Sequence, residues 1–148
     1  MTPAAAAWYA DGKVWYDNSV TRSNSRQFPR QVAVPMSDLD LSCIIPVYNE
    51  AGNIADVVAE VRAALEGVVA YEIVFVDDGS DDGTAGEIDA EATVHDVVRL
   101  VRHVTRGGKS RALINGAKAA RGRFMATMDG DGQDDPINIV KMWKALCE

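Results

Sequence analysis

The sequence predicts an α/β domain: a mostly parallel sheet with helices on both faces. Three observations lead there. Short apolar runs bounded by turn residues recur from Leu39 onward, stretches with apolar residues at helical spacing lie between them, and the two kinds alternate in strict order. Alternation of this kind builds parallel strands through crossover helices.

The elements follow in turn. Leu41-Ser42-Cys43-Ile44-Ile45-Pro46-Val47 is almost wholly apolar, as a strand buried on both faces must be. Asn53 can cap the next helix, in which Ile54, Val57, Val58, Val61 and Leu65 make one apolar stripe. Tyr71 to Val76 is the second strand, and a helix runs from Thr84 to about Ala92. Val97 to Val101 gives the third strand, and a helix from about Lys109 to Ala120 leads to a fourth, Phe124 to Met128. The last helix starts near Pro136, where proline suits a first turn, and reaches the chain end.

Residues 1–38 read as an N-terminal extension ahead of the domain at 39–148. Trp8-Tyr9, Asp11-Gly12 and Trp15-Tyr16 fit a small hairpin around a glycine turn, and Ser19 to Arg30 a loop or linker; a partly ordered leader is the alternative.

Bulk composition narrows the function. At 148 residues, with 47% hydrophobic and 25% charged residues, the chain has the make-up of one soluble globular domain. Acidic residues outnumber basic ones 22 to 15, which argues against a nucleic-acid partner. It does not argue against an anionic ligand, because a bound cation can supply the missing positive charge. Cys43 and Cys147 form no zinc or redox spacing, and the expected setting is reducing and cytoplasmic. No stretch approaches the roughly 18 apolar residues of a membrane span, and the N-terminus lacks the pattern of a signal peptide.

The unusual chemistry gathers after the strands, where open sheets of this class bind ligands. Strand one runs into Pro46-Val47-Tyr48-Asn49-Glu50, and strand two into Asp77-Asp78-Gly79-Ser80-Asp81-Asp82-Gly83-Thr84. Strand four runs into Asp129-Gly130-Asp131-Gly132-Gln133-Asp134-Asp135-Pro136. Asp129 and Asp131 can turn toward one cation, with Gln133 a further neutral oxygen, a set suited to Mg²⁺ or Mn²⁺; a solvated acidic turn is the alternative. Adjacent Asp77 and Asp78 would repel unless a donor or cation engages one of them, while Asp82 or Thr84 could cap the next helix. Lys109 follows two glycines at a helix start, a place for an anionic diphosphate or for a solvated lysine. The spacing is not that of a P-loop, and His95 and His103 belong to no visible constellation, so both are expected to be structural or exposed.

Taken together, Pro-Val-Tyr-Asn-Glu, Asp-Asp-Gly-Ser-x-Asp-Gly-Thr and Asp-x-Asp, in this order on these elements, closely resemble glycosyltransferase family 2. Asp129 to Pro136 is most similar to the branch of dolichyl- and polyprenyl-phosphate sugar transferases. The resemblance covers Leu39 to about Pro136 and implies a GT-A fold. It implies that Pro46, Tyr48 and Glu50 line a nucleotide pocket, that Asp78 hydrogen-bonds the base, and that Lys109 lies near the donor. Asp129, Asp131 and Gln133 would hold Mg²⁺ or Mn²⁺ on the diphosphate of a UDP- or GDP-sugar, with Asp129 and Asp131 serving catalysis. Ser110 and Arg111 depart from the smaller residues common in the family.

The activity implied is inverting sugar transfer to an acceptor, a polyprenyl phosphate in this branch, at the cytoplasmic face of a membrane. Family members continue beyond the Asp-x-Asp segment, so the chain is expected to be the donor-binding part, with a sheet edge open to a second copy. Two rivals stand beside that reading. One is a catalytically silent nucleotide-sugar-binding module. The other is a phosphorylatable receiver-like domain, against which the acidic pair follows the second strand rather than the first.

Overall fold

The structure is a computed structural model that describes residues 6–10, 13–17 and 39–148. Its elements are β1 (Ala6–Ala10), β2 (Lys13–Asp17), β3 (Leu41–Val47), α1 (Ile54–Leu65) and β4 (Tyr71–Asp77). They continue with α2 (Thr84–Val94), β5 (Val98–Arg102), α3 (Lys109–Ala119), β6 (Phe124–Thr127) and α4 (Ile137–Cys147). Every strand and helix expected after Leu39 is present, with ends displaced by a residue or two.

One sheet holds all six strands in the order β1-β2-β6-β3-β4-β5. β3 lies at its centre, parallel to β4 from Leu41↔Tyr71 to Val47↔Asp77 and parallel to β6 from Leu41↔Phe124 to Ile44↔Thr127. β5 runs parallel to β4. β1 and β2 pair antiparallel, and β2 continues the sheet antiparallel to β6. The strand pair falls where the sequence places a hairpin; its Asp11-Gly12 turn and the linker expected at Ser19 to Arg30 lie outside the described residues. The edge of β6 is therefore filled from within the chain.

Alternation along β3 explains why helices cover both faces. Leu41, Cys43, Ile45 and Val47 point to one side, where they pack with Val57, Val58, Val61 and Leu65 of α1, Ile88 of α2 and Ile139 and Val140 of α4. Ile44 points to the other side and meets Val74, Val76 and Ala112 of α3. Each fully buried Val, Leu or Ile contributes about 1.5–3 kcal/mol, so the α1 stripe alone anchors that helix. The chain moves outward from β3 to β4 and β5 with helices on one face. It then crosses back to β6 with α3 on the other, as right-handed crossovers require. The connections thus diverge at β3, and the gap between the carboxyl ends of β3 and β6 is the switch point where such sheets bind ligands.

At the opposite end of the strands, buried Glu72 ties the turn after α3 to the sheet. Its Oε1 accepts from Ser42 Oγ at 2.7 Å and from Arg121 N at 2.6 Å, and its Oε2 from Arg99 Nη1 at 2.7 Å. Burial opposes ionisation of Glu72, but these donors outweigh it and hold its carboxyl below the usual range.

One expectation fails at the start of α1. Asn53 occupies the capping position in a helical conformation, φ −102° and ψ −17°, and its side chain makes no cap hydrogen bond. An effective cap needs an extended backbone to turn its oxygen onto the first turn. Asn53 Nδ2 instead donates to Glu50 Oε2 at 2.9 Å.

Candidate functional site

The β4–α2 loop holds the β3–α1 loop by its backbone. Asn49 N donates to Ser80 Oγ at 2.9 Å, Glu50 N to Thr84 Oγ1 at 2.9 Å, and Ala51 N to Asp82 Oδ2 at 3.1 Å. Gly52 N donates to both carboxylate oxygens of Glu87 at 2.9 Å. Four consecutive amides with no helical partner are thus satisfied by side chains some thirty residues downstream. Asn49 returns the contact, its Oδ1 accepting from Asp81 N at 3.1 Å while its backbone takes φ 54°, a left-handed conformation that asparagine tolerates. The Ser-x-Asp-Gly-Thr part of the second motif is therefore scaffolding that presents Tyr48 and Glu50. Asp82 also accepts from Thr84 N at 3.0 Å, but neither residue is the cap of α2: that position is Gly83, and it has no side-chain cap hydrogen bond.

Asp77 and Asp78 each have their own donors, which removes the expected repulsion. Asp77 Oδ1 accepts from Ser80 N at 3.0 Å, and Arg102 Nε stands 3.5 Å from Oδ2, too far for a good hydrogen bond. Asp78 is only 4% exposed. Its Oδ1 meets His103 Nδ1 at 2.7 Å and accepts from Gly107 N at 2.8 Å, and its Oδ2 accepts from Gly108 N at 2.7 Å. Burial again disfavours the charge, and the bonds from His103, Gly107 and Gly108 prevail, so the Asp78 carboxyl sits below its ordinary range. Buried His103 meets Asn115 Nδ2 through Nε2 at 2.8 Å. The Nδ1 side of the same ring faces Asp78. His103, which no sequence pattern marks, is the link between Asp78 and α3.

Two glycines allow these loops to close on one another. Gly79 has φ +80°, and a Cβ there would stand 2.9 Å from Arg106 N, so the β4–α2 and β5–α3 loops touch at backbone distance. A Cβ on Gly130 would meet Val47 Cγ1 at 2.4 Å, so the residue between the two aspartates must lack a side chain for their turn to seat against β3.

The result is a cleft of about 310 Å³ at the switch point, lined by Pro46, Tyr48, Glu50, Asp78, Lys109, Asp129 and Asp131 together with Val47, Arg106, Gly108 and Gly130. Seven of the eight residues singled out in the sequence meet here. The eighth, Gln133, lines a separate hollow beside Glu60, Ala63 and Ala64 of α1. What Gln133 gives the acidic turn is its backbone N–H, donated to Asp131 Oδ1 at 3.0 Å. Asp129 N in turn donates to Asp134 Oδ2 at 2.9 Å.

Charge within the cleft is arranged in opposition. Lys109 Nζ reaches across from the start of α3 to pair with Asp129 Oδ1. The Arg106 guanidinium lies 3.9 Å from the centroid of the Tyr48 ring, a cation–π contact that builds one wall. Neither Arg106 nor this stacking was legible in the sequence, since no spacing rule joins positions 48 and 106.

The parallel sheet with helices on both faces and an acid-lined cleft at its switch point is the GT-A type of glycosyltransferase fold, as the likeness to a solved mannosyltransferase shows. The chain belongs to glycosyl transferase family 2, whose pattern it matches over residues 42–148. It is 37% identical over 120 residues to dodecaprenyl-phosphate galacturonate synthase of Rhizobium johnstonii, covering 76% of this chain and 34% of that protein. It is 33% identical over 110 residues to dolichol-phosphate mannosyltransferase of Saccharomyces cerevisiae, covering 73% of this chain and 41% of the relative. Among solved structures it resembles the Pyrobaculum calidifontis mannosyltransferase PcManGT in complex with GDP-Man and Mn²⁺. That likeness has a TM-score of 0.65 at 27% identity and covers 82% of this chain and 36% of the other. The chain thus spans between a third and about two fifths of the length of these proteins.

Proposed function

We propose that the cleft binds a nucleoside-diphosphate sugar through a divalent cation, and that the sugar passes to a lipid phosphate, a polyprenyl phosphate by analogy with the relatives. The observation that carries this reading is the meeting of Asp129, Asp131 and Lys109 with Pro46, Tyr48, Glu50 and Asp78 in one cleft at the switch point.

The donor set suits the cation. Among the described residues no group of three His, Cys, Asp or Glu side chains could hold a metal ion by itself. Two carboxylates completed by water and diphosphate oxygens are the set that Mg²⁺ or Mn²⁺ takes at phosphate sites. Asp129 and Asp131 would hold the ion, which supplies positive charge where the leaving diphosphate becomes more negative. Lys109, paired with Asp129 in the protein alone, would turn to the diphosphate once the cation replaces it.

At the other end of the cleft Asp78 would receive the base. Among the described residues its Oδ2 accepts the Gly108 amide, which leaves a lone pair to take an N–H from a nucleobase. Transfer would proceed with inversion: an acceptor phosphate oxygen bonds the anomeric carbon as the bond to the nucleoside diphosphate breaks on the opposite side. A phosphate acceptor arrives ionised and needs no general base. Sugar transfer to a lipid phosphate would place the protein at the cytoplasmic face of a membrane; no helix among the described residues is long and apolar enough to cross one.

Calorimetric titration with UDP and GDP, with and without Mn²⁺, tests the donor reading. One of the two nucleotides should bind, and only with the cation present. Equal binding with and without Mn²⁺ would remove the cation from the account, and binding of neither nucleotide by the folded chain would overturn it.

A further inference from the structure

Charge is segregated along this chain. Eight of its 15 Lys and Arg residues lie between Val97 and Arg123, a stretch with no Asp or Glu, and the rest of the chain carries seven basic residues against all 22 acidic ones. Folding gathers this stretch on one side of the molecule, because β5, the loop after it, α3 and the following turn are consecutive, and α3 is the one helix on its face of the sheet among the described residues. Seven of the eight basic residues are exposed; the eighth, Arg99, is turned inward to Glu72. Glu72, Asp77 and Asp78, the carboxylates nearest this stretch in the sheet, are buried, and half-exposed Asp129 pairs with Lys109 at the cleft. The opposite face carries Asp56 and Glu60 on α1 and Glu87, Asp89 and Glu91 on α2, with Arg62 the basic residue of those two helices.

The basic side also exposes apolar side chains. α3 turns Ala112 and Gly116 to the sheet, and on its outer side Ile114 is 56% exposed between Arg111 and Lys118. Val104, in the loop ahead of α3, is 99% exposed. Apolar residues flanked by Arg and Lys are the composition of a surface that rests in the headgroup layer of a bilayer.

We propose that the outer side of α3, with the loop before it, docks on an anionic lipid surface. A protein of net charge −7 is repelled by such a surface in every orientation that presents its acidic side. The basic side is the one that is attracted, so the same charges that bind also orient. Val104 and Ile114 then enter the interface, where they add apolar burial to the electrostatic attraction. A nucleic acid would use the same cations but fits the rest poorly: between Val97 and Arg123 there is no Phe, Tyr or Trp on which bases could stack. Arg106 and Lys109 belong both to this side and to the cleft, so docking sets the mouth of the cleft beside the lipid surface. The inference needs no nucleotide and stands apart from the donor reading.

Vesicle co-sedimentation of the 148-residue chain without nucleotide tests it. Binding is expected to an equimolar phosphatidylglycerol–phosphatidylcholine mixture, falling with salt, and not to phosphatidylcholine alone. Neutralising three cations outside the cleft, Arg111→Gln, Lys118→Gln and Arg121→Gln together, should weaken partitioning about 100-fold, at roughly fivefold per basic residue near the surface. Val104→Ser with Ile114→Ser should weaken it while leaving its salt dependence intact. Unchanged thermal midpoints show that the variants remain folded. Equal partitioning onto neutral vesicles, absence of binding to the mixture at low salt, or wild-type binding by the triple variant would overturn the proposal. So would displacement from the vesicles by single-stranded RNA at equal phosphate, which would assign the face to nucleic acid.

Discussion

Asp131→Ala is expected to lose cation-dependent nucleotide binding while keeping its fold. Asp131 is exposed, and the internal bond it makes is to the backbone of Gln133, so truncation removes little from the folded state. On the proposed reading its worth would lie in the charge it offers a cation opposite Lys109. Outer-sphere partners of a metal site typically carry about 10- to 100-fold in affinity, and a carboxylate ligand in a set of two should exceed that. Asp129→Ala differs in kind, because it also frees Lys109 from its partner. That variant should keep weak, cation-independent affinity for a free diphosphate, held by the unpaired lysine at the start of α3. Calorimetry of both variants, with a thermal melt of each, separates these outcomes. An Asp131→Ala chain that still binds nucleotide more tightly with Mn²⁺ than without it would refute the assignment.

Asp78→Ala should have the second large effect, this time on the protein alone. The change removes the acceptor of three hydrogen bonds, from His103, Gly107 and Gly108. The two glycines are exposed and their amides can turn to water, whereas His103 is buried at 7% exposure and would lose its partner. A loss on the order of 3 kcal/mol follows, about what one buried donor and the charge it faces are worth. Because the bonds to Gly107 and Gly108 also place Arg106 and Lys109, nucleotide affinity should fall with stability. If Asp78 acted on the base alone, its removal would leave the thermal midpoint of the free protein unchanged.

The same carboxylate sets a pH dependence. Its folded pKa is depressed, so its contribution is fully present above the unfolded value of about 3.9. It is lost as pH falls through the lower folded value. An Asp78→Asn chain, uncharged at this position, should show a shallower loss of stability in acid than the parent.

Much of this was legible beforehand because the periodic part of the fold is written locally. The strand Leu41–Val47 and the stripe of α1 each declare their burial through spacing alone, and the motifs that follow the strands meet because a parallel sheet brings its carboxyl ends together. What could not be read depends on contacts between distant turns. Ser80, Thr84, Asp82 and Glu87 look like turn and helix-start residues, yet they fix the amides of Asn49 to Gly52. Asn53 looks like a cap and is not one, since the backbone of the preceding loop is already held elsewhere. Gln133 is near the acidic pair in sequence, but Gly132, with a positive φ of 75°, lies between them and the residue lines a different hollow. His103 and Arg106 act through partners 25 and 58 positions away, respectively Asp78 and Tyr48, and no local rule reaches so far.

The central claim is that cation and nucleotide bind as one unit, each completing the other's site. Electron paramagnetic resonance of Mn²⁺ reports this directly, because the free hydrated ion and the protein-bound ion give different spectra. With the chain alone the spectrum should remain that of the free ion. Addition of the nucleotide that binds should convert it to a bound form distinct from Mn²⁺ with nucleotide alone, and Asp131→Ala should abolish that form. Mn²⁺ held by the chain without nucleotide, or nucleotide bound while the ion stays free, would contradict the account.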